Sequence, residues 1–479
     1  MDDAVVVIVD DPVASADLAY EVDYNEMAKK IIGAGLGKVP YVGFILSSLV
    51  QVLWPSREED VWAKIEAKVE ALVNRKISEQ VWRQVSDALS GLRLVLDDYV
   101  YFATHFPDDP KVISEKWNVA QGHFLHDLPA FQSKDYQLLL LPLFAQFGNL
   151  HLSLLRDGAL FGGSWGWSPA VVDRVKAQLK DAIDQYGRYA NATYEAGLAE
   201  VRRTAPSNKK HTEPYNTVNR FQREMTLTVG DFTLTWPYFD VAKYPQPVQI
   251  PVTREIYSQL CGTADDSGVS LPARPPTKPI AKLTVWGWDR VDAAKVDYPE
   301  GGGPDGRTST GRMGNSHGGS DKPPWGGTFE LAQTGQVAKV RVLSDDILNA
   351  MWLTFENGST SQQLGGKYPG GKPSEWQFPG EILSSIKIMG ASRFYGSADA
   401  AVYGFKYKDE RFPPPDAEAL RLFFISDPAS PTPQALAEKL GLGADDAAQL
   451  VAWAADYHWQ TQRDAVAEAR RLRLDAAET

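Results

Sequence analysis

Ser164 stands at the centre of Gly162-Gly163-Ser164-Trp165-Gly166, which has the spacing of a G-x-S-x-G nucleophile elbow. Such an elbow needs a strand to deliver the serine to a sharp turn, where its hydroxyl can attack an acyl carbon. Helical periodicity precedes Ser164 here, so acyl-transfer chemistry is set aside and the chain is read as a non-enzyme. His123 and His126 have ligand-like spacing, but no third ligand is evident nearby. They read as two partly exposed histidines, and neither a metal nor any other cofactor is assigned. Gly33, Gly35, Gly37 and Gly43 alternate with apolar residues, but no strand precedes them and no Gly-Lys-Ser/Thr closes the run as a phosphate-binding loop requires. The glycine-rich run at 299–327 has no nucleotide motif. It is too long for a plain connection and reads as a binding surface or as disorder.

With no chemistry assigned to these residues, the elements around them become informative. Residues 135–157, DYQLLLLPLFAQFGNLHLSLLRD, are apolar on nearly every side of a helical wheel. Leu138 to Leu141, Leu143, Phe144, Phe147, Leu150, Leu152, Leu154 and Leu155 leave no wide polar face, so other helices must wrap this one. From 136 to 155 the helix would rise about 30 Å, the thickness of a bilayer's hydrocarbon core. Gln146, Asn149 and His151 inside the run argue against a permanent span, as does Pro142, which removes one helical hydrogen bond. On periodicity alone it is the core helix of a soluble bundle.

A chain of 479 residues exceeds a single ordinary core and implies two to four domains. Its hydrophobic content of 43%, with 23% charged residues, supplies a sizeable core and makes disorder a poor default. A formal net charge of −12 argues against nucleic acid, which is bound by clustered Lys and Arg. One cysteine, Cys261, excludes an internal disulfide. The first residues, MDDAVVVIVDD, lack the basic start and long apolar run of a Sec signal. Fourteen Trp, 19 Tyr and 19 Phe suit either a β-rich core or a binding surface.

In chain order, residues 1–30 read as a leader in which Lys29 and Lys30 form an accessible tryptic site. Residues 33–56 hold a short helix ended by Pro55. From 58 to 105 apolar residues recur at three- and four-residue steps, a long amphipathic helix with a break. After the PDDP turn, a helix at 111–130 carries Trp117, Ala120, Phe124, Leu128 and Phe131 on one stripe and Lys116, His123 and Asp127 on another. The central helix follows, and Ser168-Pro169 supplies the N-cap and first turn of another long helix. Residues 204–216 and 265–279 read as linkers. Between 280 and 407, AKLTVWGW, KVRVLS, NAMWLTF, SIKIMG and AVYGFKY are strand-like runs separated by turn residues. The tail from about 412 has helix signals. The expected fold is multidomain: leader 1–30, helical bundle 31–215, boundary block and linker 216–279, all-β domain 280–410, and a short helical tail 411–479.

Four blocks resemble the three-domain Cry insecticidal δ-endotoxins. They are the Gly-rich segment ending in Leu53-Trp54-Pro55, the helix VWAKIEAKVEALVNRKISE at 61–79, the central helix through GALFGGSWGW, and NRFQREMTLTVGDFTLTWPYFDVAKYPQPVQIPVTREIY at 219–257. The β part is similar to that family's β-prism and to jacalin-type lectins. The tail does not resemble the family's third domain, a β-sandwich. The resemblance implies a soluble toxin, made without a Sec signal and acting extracellularly at the target-cell plasma membrane. It implies as partners that membrane and a surface receptor, a glycan among the options, with self-association into a pore oligomer and no nucleic acid.

The membrane-inserting hairpin implied by the resemblance joins 111–130 to 136–157. Its residues are Trp117, Asn118, Gln121, His123 and Asp127 on the first helix and Leu139, Leu143, Phe147, Asn149, His151 and Leu155 on the second. The four polar groups Asn118, Gln121, His123 and Asp127 either face water in an inserted hairpin or form an ordinary solvated helix face. Aromatic residues in loops, Trp325, Tyr368, Trp376 and Tyr395, are receptor-binding candidates able to stack on a sugar face or pack a turn. The rival reading is a carbohydrate-binding lectin-like protein whose bundle is structural. A hydrolase resting on Ser164 alone is the weaker third.

Overall fold

A computed structural model describes residues 44–54, 60–207, 212–244, 254–264, 269–366, 370–378, 380–390 and 397–407. The leader with Lys29 and Lys30, most of the glycine-rich segment before Leu53, the tail from 411, Tyr368 and Tyr395 lie outside them. The chain divides into two compact units, one formed by Asp17–Thr204 with Glu224–Ile250, the other by Ala205–Arg223 with the chain from Pro251 onward. The stretch 216–279, read from sequence as boundary block and linker, is thus shared between the units.

The first unit contains six helices up to Thr204 among the described residues: α1 (Phe44–Leu53), α2 (Val61–Val73), α3 (Glu79–His105), α4 (Pro110–Phe131), α5 (Gln137–Phe161) and α6 (Pro169–Thr204). Their ends follow from local chemistry. Asp60 caps α2 by accepting from the Trp62 and Ala63 amides, each at 3.1 Å. Asn74, at φ 48, adopts the left-handed conformation that stops α2, which is the break expected in the long amphipathic run. Asp109 caps α4, and Pro110 opens it at a position where the missing N–H costs nothing.

Every residue of α5 from Leu139 to Ala159 is buried. Pro142 lies in its second turn and the helix runs through it. Around α5 pack α1, α2, α4, α6 and the irregular segment 226–239, so the apolar wheel is covered on all sides. This segment begins with a π-helical turn, Thr226–Gly230, and ends in a 3₁₀ turn, Trp236–Phe239.

In the second unit, α7 (Thr212–Met225) contributes its residues up to Arg223, and among the described residues twelve strands, β1 to β12, form three four-stranded antiparallel sheets. Each is built around a hairpin: β3 (Lys282–Gly287) with β4 (Val291–Asp297), β7 (Val337–Ser344) with β8 (Leu348–Phe355), and β11 (Glu381–Met389) with β12 (Ala400–Tyr407). Strands of all three sheets meet one another through β4, β7, β8 and β11, the arrangement of a triangular prism. Leu283, Val285, Val340, Val342, Leu353, Leu383 and Phe405 fill its axis with almost no exposure. On α7, Asn216, Asn219 and Arg223 bond to the backbone of residues 257–260, tying this helix to the prism.

Candidate functional site

Helices α4 and α5 form an antiparallel hairpin closed by a turn in which Asp135 takes a positive φ of 70. Polar contacts on this hairpin fall into two sets. The first holds the hairpin together. Trp117 Nε1 donates to the Leu154 carbonyl at 2.7 Å, and Gln121 Oε1 lies 2.9 Å from His151 Nε2. Phe124 stacks on the His151 ring at 4.6 Å and meets Phe147 edge-on at 5.2 Å.

The second set ties the hairpin to the rest of the bundle. His151 Nδ1 is 2.6 Å from the Tyr186 hydroxyl on α6. Because Gln121 Oε1 can only accept, His151 carries its proton on Nε2 and Tyr186 donates to Nδ1. Trp236 Nε1 donates to Asn149 Oδ1 at 2.8 Å, and Tyr99 on α3 donates to Asp157 Oδ2 at 3.0 Å. Arg156 donates to the carbonyls of Phe239, Tyr238 and Tyr244. Burial raises the Tyr99 phenol well above its ordinary range, with Asp157 adding to the effect, and burial likewise raises Tyr186. Both phenols therefore stay protonated donors.

The four polar groups of α4 part company. Asn118 is exposed and bonds back to Ser114, and His123 is half-buried. Gln121 and Asp127 are each only 8% exposed, so they do not belong to a solvated face. Gln121 is turned inward by His151, thirty residues away, and Asp127 lies beneath His126 Nδ1 at 2.7 Å and His123 Nδ1 at 3.9 Å. Leu139, Leu143, Phe147 and Leu155 are buried in the bundle core. Ser164 follows α5 in a turn, where its hydroxyl donates to the Phe161 carbonyl. Among the described residues no group of three His, Cys, Asp or Glu side chains could hold a metal ion.

On the prism, one receptor-binding expectation needs correction. Trp376 is a strand residue of β10 (Lys372–Gln377), not a loop residue. Only 3% of it is exposed, and the Arg223 guanidinium lies 5.0 Å above its ring. It packs the unit's interior and is not presented for stacking. Trp325 is half-buried, its carbonyl accepting from the Gly365 amide.

Sequence reading passed over Trp288, which is 53% exposed in the β3–β4 turn. Its position at the end of a strand-like run, VWGW, disguised it. The hairpin turns at 288–290 and 345–347 meet at this end of the prism. Arg290 Nε donates to Asn349 Oδ1, the Ala398 amide to the Val291 carbonyl, and the Leu348 amide to the Ala398 carbonyl. Nearby, burial pushes the Asp292 carboxyl up to about 6, with Arg312 opposing the shift and Asp289 adding to it.

A bundle enclosing one apolar helix, followed along the chain by a three-sheet prism, is a fold also seen in insecticidal crystal proteins of known structure. Residues 31–240 match the family model for the delta endotoxin N-terminal domain. The chain is 34% identical over 150 residues to pesticidal crystal protein Cry26Aa of Bacillus thuringiensis subsp. finitimus, covering 31% of this chain and 12% of that protein. The chain thus aligns with only a minor part of that relative's length. The insecticidal crystal protein Cry7Ca1 of Bacillus thuringiensis shares the fold at a TM-score of 0.67 and 19% identity, over 83% of this chain and 75% of that one. PirB shares it at a TM-score of 0.65 and 15% identity, over 82% of this chain and 96% of that one. The Cry-type resemblance read from the four sequence blocks therefore holds in both sequence and fold.

Proposed function

We propose that this chain is a pore-forming insecticidal toxin of the Cry type, with the α4–α5 hairpin as its membrane-inserting element. The observation that carries the reading is α5 itself. Among the described residues it is the one helix long and apolar enough to cross a membrane, and the fold buries it from Leu139 to Ala159. Such a helix is stable in water only while wrapped, and a bilayer offers another wrapping once the bundle opens. The bonds that join α4 to α5 travel with the hairpin, whereas those from Tyr99, Tyr186, Trp236 and the 238–244 carbonyls must break. In this reading residues 31–215 are membrane-active, and 280–410 bind a target-cell surface receptor through the prism end bearing Trp288 and Trp325. Self-association completes the pore, and cleavage at Lys29 or Lys30 precedes opening.

The test is ion leakage from lipid vesicles and from insect midgut brush-border membranes, before and after mild trypsin treatment. Leakage that rises after cleavage is expected, and a disulfide joining α5 to α6 should abolish it under oxidising conditions while surface binding persists. Tight binding with no leakage under any protease condition would make the chain a lectin-like binder with a structural bundle.

A further inference from the structure

The apolar run of α5 has sharp ends. From Leu138 to Leu155 it would span about 27 Å, close to the roughly 30 Å of a bilayer's hydrocarbon core. Lys134 and Asp135 bound it at the hairpin tip, and Arg156 and Asp157 bound it at the other end. At that second end three indoles gather. Trp117 and Trp167 meet edge to face at 4.9 Å, and Trp165 meets Trp167 at 5.1 Å. A methyl group on Gly158 would lie 2.7 Å from the Trp117 ring, and one on Gly162 would collide with Trp167, so the indoles lie directly on the last two turns of α5. Trp167 Nε1 donates to Ser114 Oγ and Trp117 Nε1 to the Leu154 carbonyl, so both bonds lie within residues 114–167. The cluster can therefore move with the hairpin without being broken.

Tryptophan and charged residues bracketing an apolar span of bilayer length are the pattern of a headgroup-level anchor. Indoles favour the interface, and ionised groups are costly inside hydrocarbon. We infer that Trp117, Trp165 and Trp167, with Arg156 and Asp157, form an interfacial anchor whose partner is the headgroup–acyl boundary of the bilayer. The anchor fixes the depth of the inserted hairpin, holding the 162–168 turn at the membrane surface from which insertion starts while the 132–136 tip crosses. This inference rests on the hairpin reading above.

The experiment uses the chain after mild trypsin treatment, with phosphatidylcholine vesicles, a neutral lipid chosen because the net charge is −12. Ser164→Cys and Lys134→Cys are each labelled with the fluorophore NBD under native conditions, where Cys261 is buried. Leakage and NBD quenching are read on the same samples, with nitroxides at shallow and deep positions of the lipid and dithionite added outside. The expected result is leakage, with position 164 quenched more by the shallow than the deep nitroxide and bleached by outside dithionite, and position 134 protected from it. The Trp165→Leu/Trp167→Leu chain should lose the shallow preference at 164 and Trp165→Tyr/Trp167→Tyr should retain it. Leakage with position 164 quenched best by the deep nitroxide, or by neither, overturns the anchor and leaves the hairpin standing. Absence of both leakage and lipid quenching at either position overturns the hairpin reading and the anchor with it.

Discussion

Tyr99→Phe separates the enclosure of α5 from its chemistry. Tyr99 is fully buried, and its hydroxyl donates to Asp157 on α5 across a gap of 58 residues, so the bond joins the hairpin to α3 and to nothing inside the hairpin. Phenylalanine keeps the ring and removes only the donor. A hydrogen bond to a buried charged group contributes about 1.5–3 kcal/mol. Taking about 2 kcal/mol, the midpoint for thermal unfolding of a unit of this size should fall by about 4–8 °C. If hairpin release limits leakage, the same loss shifts the closed-to-released equilibrium by about thirtyfold, because 1.4 kcal/mol is tenfold. Leakage at equal bound protein should rise towards that factor. Gln121→Leu is the counterpart, because it breaks a bond inside the hairpin, weakens both states, and should lower the melting temperature without speeding leakage. Calorimetry and dye release from vesicles read both quantities. If Tyr99→Phe melts earlier while leakage stays unchanged, release of this hairpin does not control the pore and the reasoning fails.

Three further predictions follow from other sites. Burial, with Glu70 and Asp60 nearby, pushes the Glu66 carboxyl up to about 7. Its folded value lies above the unfolded one, so the bundle holds a proton there that the unfolded chain has released; stability should decline as pH rises from about 4.5 to about 7 and stay low above it. Glu66→Gln should remove that slope and melt higher than the parent at pH 8, and equal slopes in melting scans of the two chains would refute the assignment. Gly148→Ala places a methyl group 2.7 Å from the Trp236 ring. It should cost about 1–3 kcal/mol through overpacking and displace the Trp236–Asn149 bond, seen as a changed near-ultraviolet spectrum, with partial recovery in a Gly148→Ala/Trp236→Phe chain. Trp288→Ala should weaken binding to brush-border membranes without moving the bundle's melting temperature; unchanged binding would exclude this tip of the prism.

The parts of the fold legible in sequence are those whose signal is local. Asn74 ends α2 because asparagine tolerates a left-handed backbone, and Asp109-Pro110 opens α4 by a cap and a preset φ. The apolar wheel of α5 needed no partner to be recognised. Long-range pairing was not legible. Gln121 reads as part of a polar stripe, and only the meeting with His151 turns it inward. Strand β10, KPSEWQ, reads as a loop because of its proline and charges, yet it pairs only with β7 at a sheet edge, where Pro and Lys are tolerated. That misreading carried Trp376 into the loops. Strand β4, VDAAKVD, has two alanines where bulky residues usually announce a strand, because its Ala293 and Ala294 are wholly buried in the prism.

The polar residues of α5 explain why an otherwise greasy helix has one seat in the bundle. Leucines on every face would let it rotate or slide with little penalty, since each face is as apolar as the next. Asn149, His151, Arg156 and Asp157 remove that freedom. Their partners come from four separate elements: Trp236 and the 238–244 carbonyls, Gln121 on α4, Tyr186 on α6, and Tyr99 on α3. Turning α5 by one residue, about 100°, would strand several buried polar groups at once, each costing about 1–3 kcal/mol. The leucines thus supply the drive to be enclosed, and the polar groups set the register. Because the bundle-side partners act on the same short stretch, 149–157, losing one places strain on its neighbours, and opening is expected to be cooperative rather than gradual. On the proposed function, a bundle closed in this way should stay shut in water and, once a surface offers the hairpin another enclosure, open as a unit.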